Sequence, residues 1–224
     1  MTDLPPILYQ DRDIAILAKP AGLAVHPGPK TPDSLEDALP QLGSSHFTPV
    51  AAHRLDRDTS GCIAIACSRR GAKWLGAAFA GGGARKTYWA ILTALPATEE
   101  GMIDAPLKKI SSAATGWRMV VAADSSGDGK PARTGWRVLD AGLHLVEFRP
   151  ETGRTHQIRV HAAHIGCPIA GDPVYGDGVD NNGGPMRLHA RQLALTLPDG
   201  RIIQAEAPLP PDWPQPSGPA PGSR

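Results

Sequence analysis

Glycine and proline set the terms for this chain. Of its 224 residues, 25 are Gly and 23 are Pro, about a fifth of the whole, whereas aromatic residues make up only 5%. Gly loses more conformational freedom on ordering than any other residue and Pro removes a backbone donor. Such a chain divides into short elements joined by many turns, which excludes a coiled coil or helical bundle. The length still allows a sizeable core without disulfide or metal staples. Cys62, Cys67 and Cys167 form no CxxC pair, the spacing that a structural zinc site or a thioredoxin-type redox pair would use, and a reducing compartment is the simplest setting. The first residues carry no basic run followed by an apolar one, and nothing approaches the ~18 apolar residues of a membrane span. A soluble, cytoplasmic protein is expected.

Lys and Arg number 23 and Asp and Glu 22, so the net charge of +1 gives no whole-chain argument for a polyanionic partner. The distribution does. Residues 54–86 hold Arg54, Arg57, Arg69, Arg70, Lys73, Arg85 and Lys86 against Asp56 and Asp58, while residues 1–50 are net acidic. That segregation suits a basic face meeting phosphate.

Strands are expected at 7–10, 14–18, 23–25, 86–94, 132–139, 143–149, 188–197 and 202–207, with turn residues between them. The run 62–67 is continuously apolar and too short for a helix, which makes it a buried strand. Asp33 or Ser34 opens a short helix ending near Pro40. Ser68 caps a second helix closed by Gly81-Gly82-Gly83. A third begins at Thr155, with Ile158, Ala162 and Ile165 on one face and Gly166 and Pro168 as its stop. Strands grouped around few helices predict an α+β fold with a mostly antiparallel sheet. Residues 1–207 form the folded domain. Seven prolines after Ala207 make 208–224 a Pro-rich, disordered tail.

Two segments concentrate chemistry. His53-Arg54-Leu55-Asp56-Arg57-Asp58-Thr59-Ser60-Gly61 precedes the buried strand, and Arg54 and Arg57 favour the ionised form of Asp56. Asp58, Thr59 and Gly61 are good turn formers and are assigned to structure. The segment from Arg149 to His161 gathers multi-donor side chains at a helix start, where Arg154 can grip a carboxylate or phosphate with two prongs. His156, His161 and His164 lack the spacing and partners of a zinc site and read as solvated or core-edge histidines. His-Arg-Leu-Asp differs in order from the kinase catalytic loop and no Gly-rich ATP loop accompanies it. Gly81 to Thr87 misses the P-loop pattern at Arg85 and precedes a strand.

Taken together, these segments resemble the RluA-like family of RNA pseudouridine synthases. Lys19-Pro-Ala-Gly-Leu-Ala-Val-His-Pro-Gly28 is similar to its opening motif, and His53 to Gly61 to the motif bearing its catalytic aspartate. Arg85-Lys86-Thr87-Tyr88-Trp89-Ala90 resembles its tyrosine strand. Thr152 to His161 with Gly166 to Gly176 resembles its third motif, and Arg187-Leu-His-Ala190 the stretch before its closing strands. The likeness runs in order over nearly the whole chain. It implies a pseudouridine synthase fold, a mixed and mainly antiparallel sheet split by an active-site cleft with flanking helices and loops. It also implies a reaction without metal, nucleotide or organic cofactor.

By the same resemblance, Asp56, Tyr88 and Arg154 are catalytic: the essential carboxylate, the ring that packs on the target base, and the guanidinium that pairs with the carboxylate. Arg54 binds phosphate or helps extrude the nucleotide. Arg57, Lys86, His156 and Arg159 join it as substrate-binding candidates. Pseudouridylation breaks the bond from ribose C1′ to uracil N1 and rejoins the base through C5. A carboxylate can serve by adding to C1′, by adding to uracil C6 or by taking a ribose 2′ proton. A stacked base is out of reach, so the nucleotide must flip out and recover part of that cost by stacking on Tyr88. No S4-type RNA-binding extension precedes the opening motif, and Gly81 to Gly83 replaces a basic residue that the family often has there. A compact stem-loop of ribosomal or transfer RNA is therefore the expected partner, bound by a monomer. The rival is a non-catalytic RNA-binding or RNA-folding protein using the same cleft.

Overall fold

The computed structural model describes residues 2–28, 31, 33–43, 47–112, 116–123, 127–176 and 184–216. In chain order its strands and helices are β1 (Ile7–Gln10), β2 (Ile14–Lys19), β3 (Val50–Ala51), β4 (Ser60–Ala66), α1 (Arg69–Ala80), β5 (Ala84–Ile91), β6 (Glu100–Asp104), β7 (Leu107–Ser112), β8 (Gly116–Val121), β9 (Arg133–Asp140), β10 (Leu145–Pro150), α2 (Gln157–His164), β11 (Leu188–Thr196) and β12 (Ile202–Glu206). Two 3-10 turns, Leu35–Asp37 and Leu39–Leu42, stand where a short helix is expected after Ser34. The expected strand at 23–25 is reduced to a single bridge between Ala24 and Ser34. The mixed sheets and few helices make the α+β class expected from the sequence.

The chain forms two compact units, Met1–Thr87 with His189–Pro211, and Tyr88–Leu188 with Asp212–Arg224. In the first, the neighbours run β1-β2-β4-β11, with β12 on β11 and β3 on β4. All seven residues of β4 are buried, which is why its sequence does not alternate. β2 pairs antiparallel with β4 from Ile14 opposite Ala66 to Lys19 opposite Gly61. β4 and β11 run parallel, with Ser60 opposite His189 and Gly61 opposite Ala190. α1 is capped by the Ser68 hydroxyl, which accepts from Gly71 N at 3.0 Å. Its Leu75 and Ala78 are buried, and Leu75 joins Ile14, Ile16, Ala64, Leu193 and Leu195 in the core.

In the second unit, the part of β5 from Tyr88 onward, β10, β9 and β6 form an antiparallel array, and β7 and β8 a separate hairpin. The β9–β10 pair was legible in its turn, where Leu143 N donates to Asp140 Oδ1. α2 lays Ile158 and Ala162 on Ala90, Val146 and Phe148, with Ile165 packed beside them, the apolar stripe expected of it. It starts two residues later than its sequence suggests. His156 occupies the left-handed region at φ 53°, ψ 20°, so Thr155 and His156 make the turn into the helix.

The tail differs from expectation over its first half. Trp213 is 6% exposed and the Asp212 carboxylate accepts from Arg187, so 208–216 is anchored rather than loose. Proline counts only the backbone's refusal to form regular structure, and one buried indole outweighs it. Residues 217–224 lie outside the described residues.

Candidate active site

In the first unit the segment bearing Asp56 is held from below. Leu55 and Thr59 are buried at 5% and 2% exposure on either side of a half-buried Asp56. Thr59 N closes the turn on Asp56 O at 3.1 Å. The carbonyl of Arg57 receives two donors from the opening motif, the Gly22 N–H at 2.9 Å and the Lys19 Nζ at 3.0 Å. Gly22 stands at φ +85°, a conformation that lets the chain turn its N–H inward.

Lys19, which opens the first motif, supports the site in a way that the sequence did not show. Its side chain is fully buried, and its ammonium spends its remaining donors on Pro20 O at 2.8 Å and Leu23 O at 2.7 Å. Burial pushes its pKa down to about 8, against the pull of Asp58 and Asp56. The signal available in the sequence was the invitation of a lone lysine at the end of an otherwise apolar strand.

The arginines divide. Arg54 is exposed. Arg57 gives its guanidinium to Asp58 at 2.9 Å. His53 accepts the Ala64 N–H at Nε2 over 3.0 Å, and burial together with Lys86 drives its pKa down to about 4, so the ring is a neutral brace between segment and strand. Lys86 is half-buried, with its pKa lowered by burial. At the foot of the segment, Ser60 Oγ lies 2.8 Å from His189 Nδ1, both buried, while His189 Nε2 faces Ala207 O at 3.3 Å. Burial holds His189 near a pKa of about 4. That clasp is made by the histidine of the Arg187-Leu-His-Ala190 stretch.

In the second unit Tyr88 is half-buried opposite Phe148 on β10, against the apolar cluster. Arg154 is exposed and donates from Nε to Pro131 O at 3.0 Å. Its loop is organised by Gln157, another residue not singled out in the sequence. Gln157 Oε1 accepts from Arg154 N at 2.9 Å and Thr152 Oγ1 at 2.7 Å, and Gln157 Nε2 donates to Arg133 O and Thr134 Oγ1 at 2.9 Å.

His156 shares a 2.8 Å hydrogen bond between Nδ1 and the Tyr175 hydroxyl and stacks on Trp117. Arg159 is 6% exposed and clamps the buried Asp172 at 2.7 Å through both Nε and Nη2. Burial would raise the Asp172 pKa, but Arg159 and the N–H groups of Val174 and Tyr175 outweigh it and hold the carboxyl below its ordinary range. His161, expected at the core edge or in solvent, is fully buried between Thr134 Oγ1 at 2.8 Å and Ala105 O at 3.0 Å. Among the described residues no three His, Cys, Asp or Glu side chains are grouped to hold a metal.

Known proteins that share these motifs and this mixed sheet are RNA-modifying isomerases. The family model described as RNA pseudouridylate synthase matches residues 13–164, so the chain belongs to that family. An uncharacterised RNA pseudouridine synthase of Zymomonas mobilis is 48% identical over 91% of this chain and 93% of its own length. The ribosomal large subunit pseudouridine synthase D of Nitrosomonas europaea is 37% identical over 92% of this chain and 62% of its own, so this chain spans under two thirds of that relative. Among solved structures, the human RNA pseudouridylate synthase domain containing 4 superposes with a TM-score of 0.75 at 29% identity, over 92% of this chain and 88% of the other. The fold is the pseudouridine synthase fold, and the chain is an RNA pseudouridine synthase.

Proposed function

We propose that this chain isomerises uridines in a stem-loop of ribosomal or transfer RNA, with Asp56 as its essential carboxylate. One observation carries the reading: the carbonyl next to Asp56 is pinned by two donors from the opening motif, Lys19 and Gly22. A carboxylate on a loop fixed from inside is preorganised for attack or proton removal. Ribosomal RNA is favoured because the Nitrosomonas relative is named for the large ribosomal subunit.

In the reaction the C1′–N1 bond breaks, the base rotates, the C1′–C5 bond forms, the C5 proton leaves and N1 gains one. Atoms and electrons balance without an external reagent. Asp56 acts at C1′, at C6 or on the 2′ proton. Tyr88 and Arg154 take the parts that the motif match gives them, and the exposed Arg54 contacts phosphate or helps extrude the nucleotide. Lys86, His156 and Arg57 contribute to binding. Arg159 is assigned instead to structure, since its guanidinium is spent on Asp172. The protein acts as a monomer in the cytoplasm, where the buried thiols of Cys62, Cys67 and Cys167 stay reduced.

Release of tritium from a stem-loop RNA labelled at uracil C5 tests turnover. The wild-type protein should release it in the presence of excess free uridine; no release would leave a non-catalytic RNA-binding protein. Comparing pseudouridines in total RNA with and without this gene then identifies the target. Loss of a large-subunit site is expected, and loss confined to transfer RNA would overturn the ribosomal preference.

A further inference from the structure

The hairpin of β7 and β8 carries charge of one sign. From Ala105 to Ala123 the sequence contains Lys108, Lys109 and Arg118 and no carboxylate. At the base of its inner face Leu107, Met119 and Val121 pack with Val160 and Tyr175. Strand alternation carries that face onward to Lys109 and Trp117, where the core has ended. Trp117 remains 48% exposed.

It is nevertheless held in place. Its ring stacks on His156 at a centroid distance of 5.3 Å and an interplanar angle of 27°. His156 is fixed in turn by Tyr175, whose hydroxyl accepts from Met119 N at 3.0 Å and whose ring lies 5.0 Å from the Arg159 guanidinium. The Lys109 ammonium sits 4.7 Å from the Trp117 centroid. A large ring, backed by His156, half open to solvent and attended by a cation, is more than packing requires.

We propose that Trp117 is a stacking platform for an unpaired nucleobase of the RNA substrate, with Lys109 moving from the ring to the adjacent phosphate. Stacking of a base on an aromatic ring is stronger than an exposed cation–π contact, so the base displaces the ammonium, which gains a phosphate in exchange. Arg118 adds to the field that attracts the backbone, while Lys108 is paired with Asp128 at 3.0 Å. The proposal rests on the reading of the chain as an enzyme acting on structured RNA, and it names where an unpaired nucleotide of that RNA lies.

The test measures binding alone, by anisotropy of a fluorescein-labelled RNA hairpin with a uridine-rich loop and of a fully paired duplex. Trp117→Phe and Trp117→Leu both keep apolar bulk on His156, and only Phe keeps a ring. The Leu variant should bind the hairpin about tenfold more weakly than wild type. The Phe variant should stay close to wild type, and duplex binding should be the same in all three. Lys109→Gln should flatten the salt dependence by roughly one phosphate contact. Equal hairpin binding by the Phe and Leu variants, or equal loss on hairpin and duplex, would overturn the platform. Because tritium release is not the readout, failure here leaves the enzymatic reading standing. A wild-type protein that binds neither RNA would overturn both.

Discussion

Lys19 puts one charge in the interior beneath the Asp56 segment. An ammonium has three donors, and all three are met by carbonyls, of Pro20, Leu23 and Arg57. Its removal takes the side-chain donor from all three and leaves Arg57 O with the Gly22 N–H alone, and Lys19→Met should cost about 2–4 kcal/mol. The pH dependence has a definite sign. The folded-state pKa of about 8 lies below the ordinary 10.5, so between those values the unfolded chain binds more protons. Stability should rise as pH climbs through that interval, by an amount on the order of 3 kcal/mol from this group. Denaturant midpoints measured across the interval should climb for wild type and stay flatter for Lys19→Met; parallel slopes would contradict the assignment.

At the scale of elements, the join between β4 and β11 fixes the exit of the Asp56 segment. Gly61 stands at φ +109°, and a Cβ there would lie 2.2 Å from Ala190 O. Gly61→Ala must part the two strands and should cost about 3 kcal/mol or more. In a chain of this size that lowers the thermal midpoint by roughly 6–12 °C, and an unchanged melting curve would show that the join gives way cheaply. Local chemistry made some elements legible: the apolar run of β4, Ser68 and the glycines bounding α1, and the Asp140 turn between β9 and β10. β6, β7 and β8 were not legible, because few of their side chains are buried to give a hydrophobic pattern, and β6 finds its partner in β9 rather than in a sequence neighbour. The motif residues could be named from the sequence, but their supports could not. Gln157 and His189 act through partners that lie 23 and 129 positions away.

For the molecule as a whole, the C-terminal segment belongs partly to the fold. Trp213, at 6% exposure, is the residue that the proline count concealed. Trp213→Ala should destabilise the chain by about 3 kcal/mol in chemical denaturation, and an unchanged midpoint would return the segment to the status of a loose tail. Turnover is the property to which the whole chain contributes, and the proposed function rests it on the carboxylate at Asp56. The most direct measurement compares wild type with Asp56→Asn, which keeps size and removes charge, on one stem-loop RNA, recording binding and C5 tritium release together. The account predicts near-normal binding with no release above background; release at the wild-type rate would contradict it.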